Sequence, residues 1–345
     1  MLQFKETNIS KLSIHFVGNP AQDEQLICSK SGISPTDEIK ELLAKYFLKP
    51  FKEQGYFAFH HDSDLNLNEV YHYAKSIFDN PNQVHFQSVN IAKHLFSSTK
   101  HPKIKAGELY VAYFTDCRVG DELVDAVGIF KSESKETFLK VYPEGTEFTV
   151  EKDSGININK LDKGCLIFNT GQDTGYKVAV VDQINSNSEA AQFWQADFLN
   201  VAPLEDHYYH TENYLSLCQG FATEAFPEAA RLDQIDLVKN SVEYFSDQSV
   251  FNIREFEEKV IQEPELIESF QEYKTEFGLR NKLDTFDEFD ISKPALKNAK
   301  KFIRSVIKLD KNFHVYVHGS RTQIDRGFDE ERQMNFYTLY FKEES

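Results

Sequence analysis

The chain is poor in basic charge, in sulfur and in long apolar runs. Its 345 residues carry 38 Lys and Arg against 55 Asp and Glu, for a formal net charge of −17. A field of that sign opposes the approach of nucleic acid at long range, so a polyanion contact requires a segregated basic segment. Cys28, Cys117, Cys165 and Cys218 stand far apart with no C-x-x-C pair. That spacing suits neither a zinc knuckle nor a disulfide scaffold, and predicts four reduced, buried thiols. No apolar run nears the roughly 20 residues of a membrane span. The opening Met1-Leu2-Gln3-Phe4-Lys5-Glu6 offers no apolar core for a secretory leader, so a cytoplasmic protein without a membrane partner is expected. One Trp and two Met beside 30 Phe and 16 Tyr predict phenylalanine-rich cores.

Catalytic signatures are also lacking: there is no Walker A loop, G-x-G-x-x-G, H-E-x-x-H or G-x-S-x-G. Three weaker constellations remain. His60-His61-Asp62-Ser63-Asp64 offers metal-ligand types, but a loop this compact reads as a polar turn. His207-Tyr208-Tyr209-His210 reads as packing near a boundary. Asp125, Glu133 and Lys135 share strand parity and carry the residue types of a metal-dependent nuclease, for which a solvated strand face is the plainer reading. No cofactor, metal or enzymatic activity is expected.

What the chain does contain is a change of period. Lys11–Val17 alternates as a strand that Gln25–Ser29 can pair. Ser34-Pro35-Thr36-Asp37 reads as a helix start, with Ser as N-cap and Pro at the first position. Ile39, Leu42, Leu43, Tyr46 and Phe47 follow at helical spacing up to Pro50. Gly55–His60 is a short strand, and Asn66–Phe78 and Asn82–Leu95 are helices. Strands then dominate: Glu108–Asp116, Glu122–Lys131, Thr137–Tyr142, Thr146–Glu151, Gly164–Phe168 and Tyr176–Val181. Ser188 caps a helix through Trp194 to Leu199, and Pro203 marks a boundary. Beyond it Thr211–Phe226, Leu232–Phe245 and the acidic Ile253–Gly278 read as helices. Lys301–Leu309, Phe313–His318 and Phe336–Phe341 read as strands, the first two joined through Asp310-Lys311-Asn312. The fold class is α+β: a mostly antiparallel sheet with flanking helices over residues 1–203, then a helical part, 204–345, ending in a β-hairpin or small sheet.

The basic charge is concentrated at the end. Between Lys293 and Arg326 stand nine Lys or Arg and two Asp, a local excess of seven, so the rest of the chain carries −24. Lys293, Lys297, Lys300, Lys301, Arg304, Lys308, Lys311, Arg321 and Arg326 are interleaved with Phe302, Phe313, His314, Tyr316 and His318. Read as strand, Arg304 and Lys308 share a face about 13 Å apart at ~3.3 Å per residue, a spacing that suits phosphates of one duplex. The competing reading is internal. Asn252–Asp290 holds twelve acids and five bases, an excess of seven acids that could pair with the tail. A second stretch, Asn80–Gly107, has no acid and carries Lys93, Lys100, Lys103 and Lys105, which read as a phosphate-positioning patch or a solvated helix end.

Several segments resemble the bacterial 37 kDa nucleoid-associated protein family from end to end. They include Lys11-Leu12-Ser13-Ile14-His15-Phe16-Val17, Phe47-Leu48-Lys49-Pro50-Phe51 and Pro102-Lys103-Ile104-Lys105-Ala106-Gly107-Glu108-Leu109. Gly128-Ile129-Phe130-Lys131-Ser132-Glu133 continues the likeness, and the ending is the most family-like: Ile307-Lys308-Leu309-Asp310-Lys311-Asn312-Phe313, then Gly327-Phe328-Asp329-Glu330. The resemblance implies a cytoplasmic protein of the bacterial nucleoid that binds DNA without known catalysis, in a family that tends to be acidic. It assigns no contact residues. From the charge pattern, the expected DNA-binding residues are Lys293, Lys297, Lys300, Lys301, Arg304, Lys308, Lys311, Arg321, Lys103 and Lys105. The expected partner is double-stranded DNA, with other nucleoid proteins as further candidates and the oligomeric state open. The alternatives are an acidic adaptor for basic nucleoid proteins, displayed on Asn252–Asp290, and the nuclease.

Overall fold

Leu109-Tyr110-Val111-Ala112-Tyr113-Phe114 places apolar side chains at both parities of one strand, which requires cover on both faces of its sheet. The computed structural model, which describes residues 2–52, 54–182, 193–225, 231–302, 306–316 and 323–343, supplies that cover. The chain forms two compact units, Met1–Leu204 and Glu205–Ser345. In the first, β1 (Leu2–Gln3), β2 (Asn8–Val17), β3 (Leu26–Cys28), β4 (Phe57–Phe59), β5 (Gly107–Val119) and β6 (Glu122–Ser132) enter one sheet. A separate ribbon, β7 (Glu136–Glu144) and β8 (Glu147–Gly155), interrupts it before β9 (Lys163–Phe168), β10 (Lys177–Asp182) and β11 (Val201–Pro203) complete it. The order is β11-β4-β10-β9-β6-β5-β2-β3 with β1 beside β5, and every pairing is antiparallel.

Helices α2 (Glu69–Asp79) and α3 (Val84–Ser98) and the π-helical α4 (Phe193–Leu199) cover one face. Val70, Tyr71, Ala74, Ile77, Ile91 and Leu95 pack there with Leu109, Val111, Tyr113, Val127 and Ile129. Helix α1 (Asp37–Leu48) covers the other, where Tyr46, Phe47 and Leu48 meet Tyr110, Ala112, Phe114, Phe130 and Phe168. Phe47 and Phe130 stack with ring centroids 4.2 Å apart. The Phe130 ring lies so close over Gly128 and Gly164 that a Cβ at either position would come within 2.4 and 2.8 Å of it. Glycine is needed at both because an aromatic ring fills the space a side chain would occupy.

Helix α1 begins two residues later than its sequence signal. Ile33 gives its backbone N–H to Leu12, and Pro35 holds Ser34 extended, so Thr36 becomes the N-cap. Ser188 lies outside the described residues.

The second unit is packed by aromatic rings, as the composition predicts. Its elements are α5 (His207–Gly220), α6 (Arg231–Asp247), β12 (Val250–Asn252), α7 (Ile253–Phe256), α8 (Pro264–Asn281), β13 (Glu288–Asp290) and α9 (Lys293–Phe302), followed by β14 (Val306–Leu309), β15 (Phe313–Tyr316), β16 (Ile324–Asp329) and β17 (Met334–Leu339). Tyr214, Phe221, Phe245, Phe251, Phe256, Phe270 and Phe289 form one core. The acidic helix expected over Ile253–Gly278 is broken. A π-helical turn at Glu257–Ile261 leads to Gln262 at φ 67°, and Pro264 starts α8, because proline has no N–H to continue a helix and favours the first turn. Lys293–Phe302 is a helix where a strand was expected from Lys301. Ser292 caps it through the Ala295 N–H, and Pro294 falls in its first turn. Hairpins β14–β15 and β16–β17 bring Ile307 and Ile324 onto Ile235 of α6; β16 had no counterpart in the sequence reading.

One buried imidazole makes the stability of the first unit depend on pH. His15 Nδ1 accepts the Ser29 N–H at 3.1 Å, so Nε2 carries the proton and donates to Ser88 Oγ at 2.8 Å. Burial first, and His85 second, pull its pKa from 6.5 down to about 4. Between those values the unfolded chain binds a proton that the native state does not. The contribution is therefore complete above pH 6.5 and lost as pH falls toward 4, by up to about 3 kcal/mol. Denaturant unfolding of the wild type and of His15→Gln across this window should differ in slope with pH; parallel curves would show that His15 is not the group responsible.

Candidate nucleic-acid interface

Helix α9 sets the first group of cations. Residues three and four apart share a helix face, so Lys293, Lys297 and Lys300 form one exposed row, with the buried Leu296 at its edge and Ala295 buried farther round the helix. Their side chains do different work. Lys293 Nζ donates to the carbonyls of Phe245, Ser246 and Gln248 at 3.2, 2.8 and 2.6 Å. It caps the C-terminus of α6, where backbone carbonyls lack partners and the helix dipole favours a cation. Lys297 and Lys300 are exposed and form no ion pair with a described residue. Lys311 is exposed in the turn between β14 and β15, with Phe313, His314 and Tyr316 exposed beside it. Register sets Lys308 opposite His314. The side chains of Lys301 and Lys308 lie outside the described structure, as do Arg304 and Arg321 entirely. Arg326 on β16 reaches Asn335 at 3.4 Å. The strand spacing proposed from Lys301 onward therefore gives way to a helical one as far as Phe302.

The second group is held by a fixed loop between α3 and β5. Asn19, fully buried, donates through Nδ2 to the carbonyls of His101 and Ile104 at 3.0 and 2.7 Å. Lys131 Nζ donates to the Lys105 carbonyl at 2.6 Å. Lys100, Lys103 and Lys105 thus stand exposed on a loop whose backbone is pinned from below, and Lys93 is exposed on α3. None of these four pairs with a described acid. Asn19 was missed by the sequence reading; its only signal is an Asn-Pro turn.

The internal-pairing alternative can be tested on the acids. Glu258, Glu265 and Glu272 are exposed, and no described cation of the tail pairs with them. The acidic segment satisfies part of its own charge instead, through Lys259–Glu255 at 2.5 Å and Lys274–Asp287 at 2.5 Å.

The nuclease constellation comes apart. Asp125 and Glu133 share parity, but eight residues of strand separate them by about 26 Å at ~3.3 Å per residue, too far to share a metal. Asp125 accepts from Tyr113 OH at 2.6 Å, and Lys135 pairs with Glu108 at 2.7 Å. Glu133 lies inside a buried ion network. Lys131 and Lys163, directly opposed on β6 and β9, both lie against its carboxylate at 3.0 and 3.4 Å, and Lys163 also meets Asp182 at 3.5 Å. Burial lowers the Lys131 pKa, and the Glu133 charge opposes that shift. The other weak clusters also resolve as structure. His61 Nδ1 accepts the Ser63 and Asp64 N–H groups, and Asp64 caps Asn66. His210 packs on Phe286 and Phe289 in the first turn of α5. Among the described residues no group of three or more His, Cys, Asp or Glu could hold a metal ion, and no helix is long and apolar enough to cross a membrane. All four cysteines are free thiols, and burial pushes Cys117 and Cys218 up to about 12.

Fold and surface together define an α+β protein with two-faced sheet burial and exposed cations in each unit. Residues 13–330 match the family described as nucleoid-associated protein YejK, and the chain belongs to that family, the one to which its sequence segments pointed. No curated protein matches the chain significantly. Membership carries a nucleoid-associated role.

Glu133→Gln should destabilise the first unit by about 3 kcal/mol or more, because it leaves a buried lysine pair short of its counter-charge. A denaturation midpoint unchanged from wild type would mean the network is not holding the sheet.

Proposed function

We propose that the protein is a non-enzymatic DNA-binding component of the nucleoid, working in the cytoplasm and contacting duplex DNA mainly through phosphates with weak sequence preference. The observation that carries this reading is the exposure of Lys297, Lys300, Lys311, Lys103 and Lys105 without ion pairs to described acids. In a chain of net charge −17, these exposed lysines without a described counter-charge are open to an external anion. Lys301, Arg304, Lys308 and Arg321 belong to the same basic run of sequence, whereas Lys293 is engaged in capping α6. Phosphate contact by such residues is insensitive to base identity and strongly salt-dependent.

Replacing Lys297, Lys300 and Lys311 together by Ala should weaken binding to all duplex sequences alike. It should also flatten the log–log salt dependence by up to about three, near 0.9 for each phosphate that is no longer neutralised. Replacing Lys103 and Lys105 tests the loop in the same way. Equal affinity and equal slope in both variants would remove these surfaces from the mechanism.

A second reading is favoured by one feature of α8. Glu265, Glu268, Glu272 and Glu276 recur at helical spacing, are exposed and pair with no described cation. This stripe suits a basic protein partner, as an adaptor would need. Calorimetric titration with a lysine-rich peptide should give weaker binding to a variant with Gln at Glu265, Glu268 and Glu272; equal binding would discard the adaptor.

A further inference from the structure

The ribbon β7–β8 leaves the sheet between β6 and β9 and turns at Gly145, φ 67°. Its register pairs Thr137 with Ser154, Leu139 with Lys152, Val141 with Val150 and Pro143 with Phe148. Alternation puts these eight residues on one face. Leu139, Val141, Val150 and Phe148 are 67, 60, 59 and 73% exposed there, and Pro143 is exposed with them. All five acids of the ribbon, Glu136, Glu144, Glu147, Glu151 and Asp153, fall on the opposite face, where Lys140 meets Asp153 at 2.5 Å.

A two-stranded hairpin is marginal in water by itself, yet the base of this one is fixed. The Asp162 carboxylate accepts the N–H groups of Glu133 and Ser134 at 2.6 and 2.8 Å. Asn157 Nδ2 donates to both oxygens of Glu136, and Asn159 takes Lys49 Nζ from α1. The chain thus holds out, on a rigid root, a ribbon with one acidic and one apolar face.

We propose that the apolar face is the interface between two copies of this chain, packed ribbon against ribbon about a two-fold axis. A two-fold contact brings a surface onto itself, so the face must be self-complementary. This one is: it has five apolar side chains, no acid, and a single cation, Lys152, beside the polar Thr137 and Ser154. The acids are turned away from the contact. The area also fits. Five such side chains present ~500 Å² per copy, so two copies bury ~1,000 Å², the lower bound for a specific interface. Nucleic acid is a poor occupant because the face offers one charge. A dimer presents each cation surface twice, so duplex binding gains avidity without a new contact.

Sedimentation velocity of the full chain through the micromolar range should show a concentration-dependent dimer. Val141→Lys with Phe148→Lys should raise its dissociation constant by about 100-fold or more, while Glu147→Lys on the opposite face leaves the mass unchanged. As a check independent of mutation, amide exchange in Glu136–Gly155 of the wild type should slow as concentration rises. A wild type that stays monomeric, a dimer indifferent to V141K/F148K, or exchange independent of concentration would each overturn the proposal. Monomeric protein that still binds DNA with the expected salt slope would overturn it while leaving the DNA reading intact.

Discussion

The buried contact of Lys131 and Lys163 with one carboxylate, Glu133, ties the sheet of the first unit to the α3–β5 loop. Two opposed lysines on adjacent strands repel, and each must be taken out of water. Glu133 and Asp182 compensate at 3.0 to 3.5 Å. Replacing such a network with well-packed apolar side chains is often neutral or stabilising, so its worth lies in what it positions. Lys131 holds the carbonyl of Lys105, and with it the loop that carries Lys103 and Lys105. Glu133 begins the segment that Asp162 clamps at the root of the β7–β8 ribbon. An apolar core would match the volume but would leave the loop without its Lys131 anchor, whereas the Asp162 clamp on the ribbon, made to backbone N–H groups, would remain.

Charge in the second unit shows why a count of residues cannot decide between internal pairing and an external partner. An excess of seven acids over Asn252–Asp290 and of seven bases in the tail look made for each other. The acidic segment instead uses cations of its own, Lys259 and Lys274, and Arg280 pairs with Glu224. Lys293, the first cation of the tail, goes to backbone carbonyls rather than to a carboxylate. Lys297 and Lys300 follow it on the same helix face and stay in water. Neighbouring lysines of one run thus divide between a structural task and an exposed one, and only the backbone geometry separates them.

Where a signal is local and redundant, the sequence was readable. β5 and β6 show both parities or clean alternation, and Arg118-Val119-Gly120-Asp121 between them has no other reading than a turn. Helix α9 was misread because its lysines drew the reading to charge, although Ala295, Leu296, Ala299 and Phe302 recur at helical spacing. Its legible mark was Ser292 before Pro294. Pro264 would likewise have divided the acidic helix had it been weighed above the charge pattern. Lys131 and Lys163 could not be read as buried, since an isolated lysine in a strand signals solvent and their counter-charges come from other segments. Asp125 and Glu133 failed for another reason: shared parity fixes the side of a sheet and says nothing about separation along it.

A net charge of −17 and the proposed DNA-contacting surface are compatible because they act over different distances. At physiological ionic strength the Debye length is about 8 Å. Acids farther than that from an exposed lysine contribute little to the field a phosphate meets there, whereas the lysine itself acts at hydrogen-bonding distance. Asn80–Gly107 contains no acid, and along α9 no acid occurs between Lys293 and Phe302, so the loop lysines and those of α9 are free of carboxylates along their own stretches of chain, while Lys311 follows Asp310. The long-range repulsion slows approach and grows as salt is lowered. The contacts formed after approach strengthen as salt is lowered, because each releases counterion. On the proposed DNA-binding reading, affinity is therefore a balance of two salt-dependent effects of opposite sign, and local segregation of charge, rather than its total, decides which one dominates at contact.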